Sequence, residues 1–226
     1  MGWFGEKKPE TVTHTQTFEL KGPPRPVRME AVDAIDQALV AIGKTEVMHA
    51  IDPARIVTFK DGGPPVWSVA TTEVAARVPY TLFVTYGFSH VVSPEPERQG
   101  KNFEFSIAVA RSPTNPWAVA LLRHLCRYQL SSGNELMVGD VMPLHAPITC
   151  IAFPPQHHAA MPATSIDSIV VVDDPVLGAI DTPHGPVNVR RIVGVTMADL
   201  DVLGPNPPAR RGAMLGETNP DFLTVL

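Results

Sequence analysis

The sequence lacks the local signatures of several common enzyme classes. It contains no G-x-S-x-G nucleophile elbow, no phosphate-binding P-loop and no dinucleotide-binding G-x-G-x-x-G. Only two cysteines occur in 226 residues, Cys126 and Cys150, and they do not form a C-x-x-C pair. We therefore expect two buried, reduced thiols rather than a disulfide or a redox motif.

The sequence also has few basic residues and no long hydrophobic run. Eighteen lysines and arginines stand against 23 acidic residues, a net charge of −5. The arginine pairs at 190–191 and 210–211 are too small to supply the basic stripe that phosphate binding needs. No apolar run approaches the ~20 residues of a membrane helix, and the N-terminus has no signal-peptide core. We therefore expect a cytoplasmic protein that binds neither nucleic acid nor membrane.

The composition is that of a soluble globular protein, with 44% hydrophobic and 18% charged residues. The 24 prolines cluster at breaks between periodic segments, which indicates a fold with many loops. From these breaks we predict a polar N-terminal arm (residues 1–25), one domain (26–203) and a proline-rich C-terminal tail (204–226). The tail is expected to be extended, resting on the domain, or disordered.

Two main helices are predicted. The first covers residues 27–42 and ends at Gly43. The second begins after Asn115, a favourable N-cap that is followed by proline, and ends in the S-S-G run at 131–133. Its apolar stripe recurs at three- and four-residue spacing and comprises Trp117, Leu121, Leu125 and Tyr128.

Short strand patterns outnumber the helices. The clearest is 103–111, where Phe103, Phe105, Ile107 and Val109 alternate with a face carrying Glu104 and Ser106. Further strands are predicted at 46–50, 55–60, 67–72, 80–86, 134–138, 148–153, 169–172, 180–182 and 187–195. Because strands and helices do not alternate regularly, we predict an α+β fold in which a mixed or antiparallel sheet is flanked by the two main helices.

One candidate enzymatic site is a group of possible metal ligands. His145, Cys150, His157 and His158 lie within fourteen residues. Adjacent histidines point in different directions in an extended chain, and no H-E-x-x-H helix carries them. The alternative interpretation is a solvated loop for His157 and His158 and packing for His145.

A second candidate is a carboxylate cluster of Asp173 and Asp174 with Asp181. Such pairs more often cap turns beside a proline, and Pro175 follows directly. His184, in the T-P-H-G-P segment, is interpreted as a turn residue.

Four segments, in order, resemble the Suppressor of fused domain. They are Y-T-L-F-V-T-Y-G-F-S (80–89), F-E-F-S-I-A-V-A (103–110), the R-Y…N-E-L-M-V-G-D-V…H-x-P-I stretch (127–148) and D-T-P-H-G-P…I-V-G-V-T-M-A-D-L (181–200). The resemblance covers roughly residues 80–203. It implies an α+β fold like the N-terminal domain of that family.

The resemblance also implies a site. Tyr128 and Asp140 match the tyrosine and aspartate that are associated, in the animal branch, with gripping a peptide of a partner transcription factor. Tyrosine offers an apolar ring and a donor, and a carboxylate accepts from a partner's N–H or cation. An open strand edge beside them would hold an extended peptide.

The resulting hypothesis is a non-catalytic protein-binding module without cofactor or metal. Stand-alone bacterial members of the family are regarded as immunity proteins, so the implied partner is a toxin domain or an extended peptide segment. The alternative is a metal-dependent hydrolase that uses the region from His145 to His158 or the pair Asp173 and Asp174. A third reading is an accessory domain that only oligomerises.

Overall fold

The computed structural model describes residues 29–46, 68–86, 89, 101–110, 115–132 and 134–226. Its helices are α1 (Met29–Ile42), α2 (Pro116–Ser132), α3 (Met197–Leu203), α4 (Pro208–Thr218) and a short 3-10 helix (Pro155–Ala160). Its strands are β1 (Lys44–Glu46), β2 (Ser68–Val74), β3 (Tyr80–Tyr86), β4 (Phe103–Ala110), β5 (Val141–Pro143), β6 (Ser168–Asp173), β7 (Ala179–Ile180), β8 (Val187–Val195) and β9 (Leu223–Thr224). The predicted arm, the strand at 55–60 and most of that at 46–50 lie outside the described residues.

The nine described strands form one mixed sheet. Seven of them follow the order β1-β2-β3-β4-β8-β6-β5, while β7 pairs with β8 and β9 pairs with β4. The first four pair as an antiparallel meander, and β8 then runs parallel to β4 and antiparallel to β6. β8 pairs with the first half of β4, and β9 pairs with the second half, where Ala108 lies opposite Leu223. The C-terminal strand is therefore part of the sheet.

Helices cover both faces of this sheet. On one face, the predicted apolar stripe of α2 packs with alternate residues of β4, including Phe105 and Ile107. On the other face, Ile35 and Leu39 of α1 pack beside β3 and β4, while Leu203 of α3 and Met214 of α4 pack over β6 and β8. Burial of such side chains contributes about 1.5–3 kcal/mol each. The predicted α+β class, with a mixed sheet flanked by α1 and α2, is confirmed.

A buried polar network lies on the α1 face of the sheet. Nη2 of Arg191 is 2.7 Å from Oδ2 of Asp174, and neither side chain is exposed to solvent. The same Oδ2 accepts from Nε of Arg191 at 2.9 Å and from Oγ of Ser106 at 2.6 Å. Tyr80 lies next to Arg191, and burial raises the pKa of its phenol although Arg191 opposes that shift. The network joins β3, β4, β8 and the turn after β6.

Three local predictions were wrong. Residues 134–138 do not form a strand, and the strand of this region is β5, because the chain first makes a turn at 137–140. Residues 148–153 form successive turns, in which Pro147 accepts from the N–H groups of Cys150 and Ile151. The expected extended tail instead contains α4 and β9, because Met214, Phe222 and Leu223 are partly or fully buried against the sheet. The division into arm, domain and tail stays a prediction.

In the described part of the chain, no helix is both long enough and apolar enough to cross a bilayer.

Candidate functional site

The structure places Tyr128 in the last turns of α2, at the end of the predicted stripe. Its ring is half-buried and packs against the cluster beneath α2. Gln129, the next residue, is buried, and its Oε1 accepts from the N–H of Leu136 at 2.9 Å. The end of α2 is therefore tied directly to the segment that leads to Asp140.

Arg190, on strand β8 of the sheet, also binds the segment that leads to Asp140. Its Nη1 donates to the carbonyl of Leu136 at 2.7 Å, and its Nη2 pairs with Oε1 of Glu135 at 2.9 Å. The guanidinium lies 3.7 Å from the centre of the Phe103 ring. A buried arginine with a carboxylate, a carbonyl and an aromatic face is fixed in position, so residues 135–136 have little freedom.

Residues 137–140 form a tight turn that contains Asp140. The N–H of Asp140 donates to the carbonyl of Met137 at 3.0 Å, and Gly139 has a φ of 90°. Val138 is not among the positive-φ residues, so the turn is type II. Oδ2 of Asp140 accepts from the N–H of Met137 at 2.7 Å. The carboxylate of Asp140 therefore helps to form the turn on which it lies.

The turn is braced by its neighbours. The N–H of Gly139 donates to the carbonyl of Val171, and the N–H of Val171 donates to the carbonyl of Asp140. Nη1 of Arg211 in α4 donates to the carbonyl of Gly139 at 2.6 Å. A Cβ on Gly139 would lie 2.4 Å from Cβ of Pro208, which shows how closely α4 approaches. The site is thus supported by a helix that the sequence analysis did not predict.

Strand β5 begins directly after Asp140. It pairs with β6, and within the described residues it is the last strand of the sheet order. The open strand edge expected beside the site has only three residues, and one of them is Pro143, which has no N–H to donate. An added strand would therefore find few backbone hydrogen bonds here.

The polar face of α2 beside Tyr128 carries an arginine and a histidine. Arg127 is exposed, and His124 is half-buried. Burial lowers the pKa of His124, and the charge of Arg127 lowers it further. On the buried side of the helix, desolvation raises the pKa of the Cys126 thiol well above its usual range, with Glu104 adding to the effect. Cys126 and Cys150 are both free and buried, as expected.

The candidate metal ligands of the 145–158 region are distributed around a loop and a short helix. His145 and His157 are exposed, Cys150 is buried, and Nε2 of His158 lies 2.9 Å from the carbonyl of Phe153. Within the described ranges, no group of three or more His, Cys, Asp or Glu side chains is arranged to hold a metal ion.

The carboxylate pair is separated by the alternation of the chain at the end of β6. Asp173 is exposed, whereas Asp174 is buried against Arg191. Oδ1 of Asp174 also accepts from the N–H groups of Val176 and Leu177, the turn-capping role weighed above. Asp181 is exposed, and the segment that follows it makes the expected turn, with Gly185 donating to Thr182.

Sequence reasoning missed the two arginines that support the site. Arg190 and Arg211 belong to the R-R pairs that attracted attention only as a weak basic signal. Within the first pair, Arg190 binds the 135–136 segment and Arg191 enters the network on the opposite face, because successive strand residues point to opposite sides. Two adjacent arginines on the apolar strand β8 are a signal for a buried role of Arg190, whereas Arg211 lies on α4 and has no such signal.

Comparisons with known proteins identify the family and the fold of the chain. The sequence model of the family described as Suppressor of fused protein (SUFU) matches residues 51–204, more than half of the chain. The chain belongs to the Suppressor of fused family. The resemblance predicted from the four segments is therefore confirmed, and α4 and β9 lie outside the matched range.

Solved structures with the same fold include Suppressor of fused proteins. A chain in the crystal structure of the Sufu–Fu complex is 20% identical, with a TM-score of 0.64 over 89% of this chain and 91% of that chain. Drosophila Suppressor of Fused is 22% identical, with a TM-score of 0.64 over 89% of this chain and 50% of that one, so this chain spans about half of its length.

A bacterial structure also matches. The putative homologue from Neisseria gonorrhoeae is 12% identical, with a TM-score of 0.52 over 87% of this chain and 92% of that chain. These identities establish the fold alone. No curated protein matched the sequence.

Proposed function

We propose that this chain is a non-catalytic protein-binding module whose contact surface includes Tyr128 and Asp140. The observation that carries the proposal is the fixation of residues 135–139, which lead directly to Asp140. Gln129, Arg190 and Arg211 each bind the backbone of these residues, at Leu136 and Gly139. A surface that is ordered before binding loses little conformational entropy when a partner docks. Family membership and the Sufu–Fu complex support a protein as the partner.

The finer proposal is that the module neutralises a bacterial toxin by covering its surface in a stoichiometric complex in the cytoplasm. The likeness to a bacterial homologue supports this context. The net charge of −5 favours a basic partner such as a nuclease domain, because complementary charge accelerates and orients encounter. The hydrolase alternative finds no site among the described residues, since Asp174 is paired with Arg191 and the loop histidines are dispersed.

The test is affinity capture from the native host, followed by mass spectrometry. The baits are the wild type, the double variant Tyr128→Ala/Asp140→Ala, and Asp181→Ala, an exposed control on the segment between β7 and β8. We expect one protein at near-equal stoichiometry with the wild type and the control. Its amount should fall about tenfold or more with the double variant, the loss expected from removing one or two central contacts.

Two other outcomes would change the proposal. A partner retained by the folded double variant would keep the module and remove Tyr128 and Asp140 from its surface. A wild type that captures no partner, and that light scattering shows to be a stable oligomer, would favour the accessory-domain reading.

A further inference from the structure

The 137–140 turn exposes two apolar side chains, which is unusual for a turn at the protein surface. Met137 is 49% exposed and Val138 is 38% exposed. Residues 136–139 carry no charge in a chain where 18% of residues are charged. Surface turns are usually formed by polar residues and glycine, so two apolar side chains at this position need an explanation other than turn formation.

The backbone beneath these side chains is held by hydrogen bonds at Met137, Gly139 and Asp140. The turn closes on itself between Met137 and Asp140, β6 binds it at Val171, and α4 binds the carbonyl of Gly139. Arg211 is itself fixed, because its Nη2 donates to the carbonyl of Gly204 at 2.7 Å, at the end of α3. Met137 and Val138 therefore project from a rigid support.

The carboxylate of Asp140 has a hydrogen-bond partner within the turn itself. Oδ2 receives the N–H of Met137 at 2.7 Å, a charged hydrogen bond that stabilises the turn. Asparagine can accept the same bond through its amide oxygen, whereas alanine cannot. The charge of Asp140 and its turn-forming oxygen can thus be tested separately.

We infer that the turn is the docking element of the module, inserting Met137 and Val138 into an apolar pocket on the partner protein. Arg211 is a positioning residue that holds the turn, and Asp140, within the contact surface proposed above, contributes by closing the turn through Oδ2 rather than by its charge. The inference rests on the proposed protein-binding function and names its contact. The occupant is an apolar pocket rather than an added strand, because β5 offers a three-residue edge with a proline, while the turn offers exposed apolar area. Burying both side chains is worth about tenfold to a hundredfold in affinity.

The first arm of the test needs no partner. Amide hydrogen exchange of Gly139 and Asp140 is measured in the wild type and in Asp140→Ala, Asp140→Asn and Arg211→Met. We expect exchange to accelerate about tenfold or more in Asp140→Ala and Arg211→Met, the effect of losing one charged hydrogen bond. Asp140→Asn should exchange like the wild type. Unchanged exchange in both Asp140→Ala and Arg211→Met would overturn the positioning roles.

The second arm tests whether Met137→Ser/Val138→Ser still captures the partner found with the wild type. Val176→Ser is the control, because Val176 is an exposed valine in another turn. We expect the turn variant to lose the partner while its exchange pattern stays that of the wild type, and we expect Asp140→Asn to keep it. If the turn variant retains the partner, the docking inference is wrong and the module stands. If Asp140→Asn loses it, the charge of Asp140 is itself a contact. If the wild type captures nothing, the proposed function and this inference fail together.

Discussion

Replacing Asp174 with alanine should destabilise the fold strongly, because it would leave a positive charge unpaired in the core. Arg191 is fully buried, and its Nε and Nη2 both donate to Oδ2 of Asp174. Without the carboxylate, the remaining hydrogen-bond partners of the guanidinium are neutral, such as Oγ of Ser106 at 3.0 Å. The N–H groups of Val176 and Leu177 would also lose their acceptor.

The expected loss can be estimated from these contacts. Removing one partner of a buried ion pair costs about 3–5 kcal/mol, and we take about 4 kcal/mol. Domains have free energies of unfolding of about 5–15 kcal/mol, so this is a large fraction of the total. With a urea m-value of about 2.5 kcal/mol per M, the midpoint should fall by roughly 1.5 M.

The assay is urea unfolding followed by circular dichroism, with Asp173→Ala as the matched control. Asp173 precedes Asp174 in the chain and is exposed, so its removal should change the free energy of unfolding by less than about 0.5 kcal/mol. The double variant Arg191→Met/Asp174→Leu should recover the part of the loss that comes from the unpaired charge, since apolar residues can replace a buried pair. The N–H groups of Val176 and Leu177 would still lack their acceptor. Equal midpoints for Asp174→Ala and Asp173→Ala would refute the argument.

Three further predictions concern the turn, the C-terminal strand and the pH dependence. Gly139→Ala should lower the melting temperature clearly more than Gly185→Ala in calorimetry. Both glycines have positive φ, but only at position 139 would the new Cβ overlap Pro208. Leu223→Ala should cost about 2–5 kcal/mol in urea unfolding, because this side chain is buried between the sheet and α1; a loss below about 1 kcal/mol would mean that β9 does not contribute to the core. Finally, the lowered pKa of His124 means that the unfolded state binds more protons below pH 6.5, so stability should fall as the pH decreases through that value. His124→Gln should reduce this slope, and an identical slope in the variant would contradict the assigned cause.

The elements that could be predicted are those with strong local periodicity. The stripe of α2 and the alternation of β4 follow from residues three, four or two apart, and both were confirmed. Even there, the polar face of β4 has a role that periodicity does not reveal. Glu104 is fully buried and accepts from Oγ of Thr85 and of Ser89, so an apparently solvent-facing residue belongs to the interior.

The site was predictable only in outline. The family resemblance drew attention to Tyr128 and Asp140, and the Gly139–Asp140 turn followed from local sequence. The positions of Arg190 and Arg211 could not be predicted, because they reach the site from 54 and 72 residues away. The contacts of Tyr128 and Asp140 with a partner stay predictions.

The amino-acid sequence by itself determined the α+β class, the two main helices and the family, because each rests on local order along the chain. Only the tertiary structure determined that the C-terminal residues form α4 and β9, because their prolines suggested an extended tail. Val187, Val189 and Leu223 share one core cluster on the sheet, and Oγ1 of Thr224 accepts from the N–H of Gly194. A strand of two residues has no periodicity to detect. It forms because β8 pairs with only the first half of β4. The second half of β4 pairs instead with Leu223 and Thr224, which lie far along the chain.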